Sequence, residues 1–366
     1  FCSDTGPGRH DAAAIAEIVA APDETDAYSR AEPAHDYFPL PGSFRFGVPR
    51  VGQRSFFGNG EYAGLFDAAI AQAEALGGIK VEIDFLPLLE AARLLYDGPW
   101  LAERRAAVGS FVRRQPEDIH PVIRDIIDGS PNRSAVETFR AMYRLQALKA
   151  CAERLWCDID VLLTPTTGCI FRIDEMLAEP ILHNNQLGHY TNFMNLLDLS
   201  AVAVPSGFDR NGLPFGVTLA GPAFADRRLL ALAARWQQAS GLPLGTGAQL
   251  APSTPLNLPP ADSLPIVVCG AHLSGLPLNP QLLQRGAVLL RATRTAPKYR
   301  FYALAGGPPF RPGLIRVEDD GAAIEVEVWA MPTRHWGSFV AGIPAPLAIG
   351  SVELEDGTWA KGFVCE

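Results

Sequence analysis

Tyr62-Ala63-Gly64-Leu65-Phe66-Asp67-Ala68-Ala69-Ile70-Ala71-Gln72-Ala73-Glu74-Ala75-Leu76-Gly77-Gly78, with the run Ile79-Lys80-Val81-Glu82-Ile83-Asp84-Phe85 behind it, decides the fold class. Tyr62, Leu65, Phe66, Ala69, Ile70, Ala73 and Leu76 recur at the spacing that lays one apolar stripe along a helix. Gly77-Gly78 stops it, because glycine accepts the left-handed turn that closes a helix. Ile79 to Phe85 is a strand, and Phe44 to Val48 upstream is another. Strand, helix, strand at this spacing predicts an α/β layered domain.

The pattern continues on both sides. Residues 11–20 form an Ala/Ile/Val helix that ends before Pro22, and the stretch from Asp26 to Gly42 is surface loop. Ser134 with Glu137 is a capping box for a helix reaching about Trp156. A buried strand at Asp160 to Thr164 follows and stops at Pro165, then a loop from Thr166 to Gly188. Strands are expected at Ala201 to Val204 and Val217 to Ala220, joined through Gly212-Leu213-Pro214-Phe215-Gly216. Asp226 caps a last helix carrying Leu229, Leu230, Ala233 and Trp236. Gly241 to Pro265, rich in Pro, Leu and Ser/Thr, is a linker. Beyond it come seven short strands, with Asp356-Gly357 as a type I′ hairpin signal between the last two. The division is therefore 1–240, a linker 241–265, and a small barrel-like α+β module over 266–366.

Composition excludes some functions. A net charge of −9 over 366 residues argues against nucleic-acid or anionic-membrane partners, so an anionic substrate needs a local basic pocket. With 48% hydrophobic residues a large core is available, yet no apolar run reaches the roughly 18 residues of a membrane helix. Cys2, Cys151, Cys157, Cys169, Cys269 and Cys365 show no CxxC pair and suit buried thiols in a reducing compartment, hence a cytoplasmic protein. The chain opens on Phe1-Cys2-Ser3 without a signal peptide, which suggests a fragment or a processed product.

Tyr96-Asp97-Gly98-Pro99-Trp100-Leu101-Ala102-Glu103-Arg104 carries the clearest chemistry. Asp97-Gly98 marks a turn and Pro99 suits the start of a helix. A phenol closing one helix and a guanidinium one turn into the next meet at one mouth, a donor set for a small planar anion. The plainer reading is a core tyrosine beside a surface ion pair. A search for a nucleophile finds no Gly-x-Ser-x-Gly elbow, no Gly-rich phosphate loop and only Lys80, Lys149, Lys298 and Lys361 as lysines. His183 and His189 are spaced for loop hydrogen bonding rather than for a metal, and His120 precedes Pro121 at a helix start.

Three stretches, Tyr96 to Arg104, His189 to Gly207 with Gly212 to Gly221, and residues 266–366, together resemble the allophanate hydrolases. Asn195-Leu196-Leu197-Asp198-Leu199, Val204-Pro205-Ser206-Gly207 and Gly212-Leu213-Pro214-Phe215-Gly216-Val217 are similar to the C-terminal half of the amidase-signature fold. Tyr96 to Arg104, His189-Tyr190-Thr191-Asn192-Phe193, Gly342-Ile343-Pro344-Ala345-Pro346-Leu347 and Gly362-Phe363-Val364-Cys365-Glu366 narrow the likeness to the allophanate-cleaving branch. It runs from about Asp11 to the end of the chain. The resemblance implies a partial amidase-signature α/β/α domain with a mixed sheet, then an α+β barrel-like domain similar to gamma-glutamyl cyclotransferase.

The resemblance also implies hydrolysis of allophanate, ultimately to ammonia and carbon dioxide, by a Ser–cis-Ser–Lys triad with no metal or organic cofactor. Those three residues belong to a Gly/Ser-rich stretch that this chain lacks. Tyr96 and Arg104 match the family's substrate contacts. For the C-terminal domain the resemblance implies decarboxylation of N-carboxycarbamate or a part in assembly; His272 is the residue expected to act in the decarboxylation, as a cation or proton donor, with a strand-end histidine satisfied by backbone as the alternative. Arg291, Arg294 and Arg316 are further anion candidates or plain exposed strand-face charges. Where a cyclotransferase needs an acid, Gly337-Ser338-Phe339-Val340-Ala341-Gly342 supplies none. A homodimer, with or without other urea-pathway enzymes, is the expected assembly. A silent scaffold and an amidase for another small amide are the alternatives.

Overall fold

The computed structural model describes residues 9–20, 22–31, 43–129, 133–244 and 262–365, which divide into two units. The first holds α1 (Arg9–Val19), β1 (Phe44–Pro49), α2 (Gly60–Ala75), β2 (Gly78–Ile83), α3 (Leu86–Asp97), α4 (Trp100–Arg114), α5 (Pro121–Asp128) and α6 (Ala135–Asp158). It continues with β3 (Val161–Pro165), α7 (Ile173–Ala178), α8 (Pro180–Leu187), α9 (Phe193–Leu196), β4 (Leu199–Phe208), β5 (Pro214–Pro222) and α10 (Asp226–Ser240). Its sheet runs β2-β1-β3-β5-β4. The first three strands are parallel and the last two antiparallel, so the sheet is mixed, as expected.

Alternation along the strands makes this a three-layer unit. Phe44, Phe46 and Val48 of β1 face one side, where they pack with Val161 and Leu163 against Phe66 of α2 and Trp236 of α10. Ile159, Leu162 and Ala220 face the other, against Leu88 of α3, Leu148 of α6 and Phe193 of α9. Asp160 ties β1 to the start of β3, accepting from Arg45 N at 2.7 Å and Arg45 Nη2 at 2.9 Å. The capping box forms as read: Ser134 Oγ accepts from Glu137 N, and the Glu137 carboxylate accepts from Ser134 N.

Some expectations needed correction. The stretch from Thr166 to Gly188 is not a plain loop but contains α7 and α8. Ala225, not Asp226, holds the cap position of α10; Asp226 instead accepts a 2.8 Å bond from Ser200 Oγ, which itself accepts from Ala225 N. The strands at 201–204 and 217–220 extend outward into a long hairpin, because pairing across the sheet carries them past their apolar centres.

Residues 22–31 group with the second unit, which otherwise holds β6 (Ser263–Val268), α11 (Pro280–Leu283), β7 (Val288–Arg294), β8 (Tyr299–Ala303) and β9 (Pro312–Arg316). β10 (Glu325–Pro332), α12 (Thr333–Val340), β11 (Leu347–Glu353) and β12 (Trp359–Cys365) complete it. The sheet β11-β12-β6-β10-β7 has its outer strands drawn together beyond their ends by a bridge between Thr295 and Leu354. Val267 and Val328 face Tyr299 of β8 and Leu314 of β9, while Ile266, Val268 and Met331 face Leu282 and Phe339. Ser263 to Pro265 lie in β6 rather than in a linker; residues 245–261 are outside the described set. The turn before β12 is not type I′, since Gly357 (φ 80°) is positive and Asp356 is not. Gly337 to Val340 belong to α12.

Candidate functional site

Each unit presents one candidate site. In the first, α3 hands over to α4 within two residues. Gly98 has no room for a side chain: a Cβ there would lie 2.4 Å from Leu94 O and 3.0 Å from the Trp100 ring. This close turn brings the Arg104 guanidinium over the Tyr96 ring, Cζ 5.5 Å from its centroid, within cation–π range. Tyr96 is half-buried against the Leu88 side of the core. Its hydroxyl accepts from Asn184 Nδ2 of α8 at 3.4 Å, a long bond. Arg104 is exposed, and among the described residues no carboxylate pairs with it. The ordinary surface ion pair of the plainer reading is not found among the described residues.

The histidines nearby have other roles. His183 Nδ1 lies 3.0 Å from Glu175 O, and its ring stacks on Phe171. The His189 ring meets Phe57 and Tyr190 edge-on, at 5.3 and 4.8 Å between centroids. Its Nε2 is buried without a hydrogen bond. Burial first, and the charge of Arg93 second, hold its pKa below the ordinary histidine value. Among the described residues no three His, Cys, Asp or Glu side chains gather as a metal site. No helix among them is long and apolar enough to cross a membrane.

The second site forms where β6 ends. The single 3-10 turn Gly270–His272 carries His272 into a recess of about 480 Å³, counting the solvent at its mouth. The imidazole stacks on Phe363 (4.9 Å, 22°) and meets Phe339 edge-on at 5.7 Å. Gln281 Oε1 lies 3.2 Å from Nε2, a pairing that suits a proton on Nε2. Burial pushes the His272 pKa down, with Arg311 adding to the push and the Gln281 bond opposing it. At neutral pH the ring is therefore neutral, and Arg311 is the standing cation. Cys269 also lines the recess, but burial pushes its thiol up to about 12, so it is unreactive there.

Sequence reasoning missed Arg311. Its signal, a lone arginine in Gly306-Gly307-Pro308-Pro309-Phe310-Arg311-Pro312-Gly313, was present but had no partner within reach along the chain. The arginines that were named are engaged elsewhere: Arg291 with Asp356 (2.7 Å), Arg294 with Glu325 (3.8 Å) and Arg316 with Glu353 (2.8 Å). Of the cysteines, Cys169 and Cys269 are buried as expected. Cys157 is exposed, and Cys2 is outside the described residues.

With a three-layer mixed unit and a second sheet-based module in view, the chain belongs to the amidase family: residues 9–230 match that family's model. Residues 264–366 match the allophanate hydrolase C-terminal domain. Among particular proteins, it is 38% identical over 372 residues to the urea amidolyase of Saccharomyces cerevisiae, covering 97% of this chain and 20% of that protein. A solved structure of Kluyveromyces lactis allophanate hydrolase matches with a TM-score of 0.74 at 37% identity, over 97% of this chain and 60% of that one. The K. lactis urea amidolyase structure matches with a TM-score of 0.77 over 98% and 22%. The chain thus spans about a fifth of the urea amidolyases and three fifths of the allophanate hydrolase.

Proposed function

We propose that this chain supplies the substrate-recognition side and the C-terminal domain of an allophanate hydrolase working in urea degradation. The observation that carries the reading is Arg104, held over Tyr96 by a turn with no room for a side chain at Gly98 and with no carboxylate partner among the described residues. A guanidinium fork beside a phenol suits the carboxylate of a carboxylated urea. The Ser–cis-Ser–Lys triad of the amidase step is not among these 366 residues, so the acyl transfer needs chain that lies outside them. No metal or organic cofactor enters the reaction.

The product of that step, N-carboxycarbamate, goes to the recess of the second unit. There the bond between nitrogen and one carboxyl carbon breaks, its electron pair stays on nitrogen, and nitrogen takes one proton. The products are carbamate and carbon dioxide. His272 delivers the proton. Because its ring rests neutral, it takes that proton from solvent on each turnover. Among the described residues no cysteine is in a disulfide, which supports a cytoplasmic setting. A homodimer is supported by the outward face of α6, where Val136, Phe139, Met142 and Tyr143 are all exposed.

The test is ammonia release by the complete protein that contains this chain, on allophanate against malonamide. Allophanate should be preferred by at least about tenfold in kcat/KM, and equal rates would favour an amidase for other small amides. No ammonia from any amide would leave the scaffold reading.

A further inference from the structure

We propose that Arg311 is the carboxylate anchor of the second unit's recess, which thereby selects a small planar carboxylate or N-carboxylated amine. The inference rests on reading the recess as the decarboxylation site, and adds the residue that binds.

Four observations converge on it. The recess is walled by Phe339, Phe363, Ile343 and Leu347, and among the described residues it holds one guanidinium and no Asp or Glu. Among the described residues Arg311 has no hydrogen bond or ion pair through its side chain. A half-buried cation among apolar walls, with no counter-ion among the described residues, is an incomplete arrangement that an anion completes. The site is also built. Gly270 (φ 58°) packs so closely on Pro312 that a Cβ would stand 2.3 Å from Pro312 Cγ. That contact locks the turn bearing His272 to the start of β9, next to Arg311. Asn279 Nδ2 holds the same turn by donating to His272 O at 3.1 Å. The flat His272–Phe363 stack offers a planar ligand a wall, and the guanidinium offers a fork.

Malonate, which replaces the central N–H of N-carboxycarbamate by a methylene, is the probe. It is titrated into the complete protein that contains this chain while the His272 ring proton resonance is followed by NMR, assigned through His272→Asn. Malonate should shift that resonance saturably and malonamide should not. Arg311→Gln should weaken the binding at least tenfold and Arg311→Lys less, since lysine keeps the charge but not the fork. Arg104→Ala should leave the shift in place, which separates this site from the one in the first unit. Wild-type affinity in Arg311→Gln, with a thermal midpoint unchanged, overturns the anchor. So does a wild-type chain whose His272 signal ignores malonate. If malonate binding depends on Arg311 while His272→Asn releases carbon dioxide normally in the complete enzyme, the anion site stands and the decarboxylation reading falls.

Discussion

Arg104 stands 5.5 Å above the Tyr96 ring and has no acidic partner among the described residues. An exposed arginine usually finds a carboxylate or floats in solvent; this one is held by an aromatic face with its donors still available. Replacing it by Ala in the complete enzyme should raise KM for allophanate about 10- to 100-fold, as expected for losing a charge-assisted hydrogen bond. Tyr96→Phe should cost less, about 3- to 10-fold. Steady-state kinetics on both variants decide it, and unchanged KM in Arg104→Ala would sink the recognition role.

Gly270→Ala should cost about 2–4 kcal/mol, combining a left-handed φ with a clash against Pro312. Pro312→Ala removes the two atoms in the clash, so the double variant should regain part of that loss and keep the part due to φ. Chemical denaturation of the three variants separates the two contributions.

Asp160 is most affected by burial, which raises its pKa, but the bonds from Arg45 outweigh this and hold it below its ordinary value of 3.8. A depressed carboxylate adds stability that is present above the unfolded value. That stability is lost as pH falls through the lower folded value. Asp160→Asn should therefore cost about 1–2 kcal/mol at pH 7 and show a shallower loss of stability below about pH 4. Urea melts across that window test it.

His272 behaves oppositely in charge but follows the same sign. Its folded pKa lies below the usual 6.5, so the protein loses stability as pH falls from about 6.5 through the folded value. Gln281→Leu removes the one interaction that raises this pKa, so the ring should titrate at still lower pH. An NMR titration of the ring proton that moved upward instead would contradict the assignment.

Much of the fold was legible because it is local. The stripe from Tyr62 to Leu76, the strands flanking it, the capping box at Ser134 and the run of short strands after residue 262 all follow from period and turn chemistry. Errors fell where long-range pairing decides. α7 and α8 carry apolar residues that stay exposed, such as Ile173 and Leu177, so no buried stripe announced them. The turn at Gly357 took its type from the register of β11 on β12, not from the Asp-Gly pair.

The first candidate site was readable for the same reason: Tyr96 and Arg104 sit on either side of one turn. By itself the sequence determined the layered α/β class, the family and that pair. Only the tertiary structure decided which cations are free. Arg291, Arg294 and Arg316 meet carboxylates across strands, whereas Arg311 lines one recess with His272, where Gly270 packs on Pro312. Charge pairing depends on distance through space, and the order of residues along the chain does not contain it.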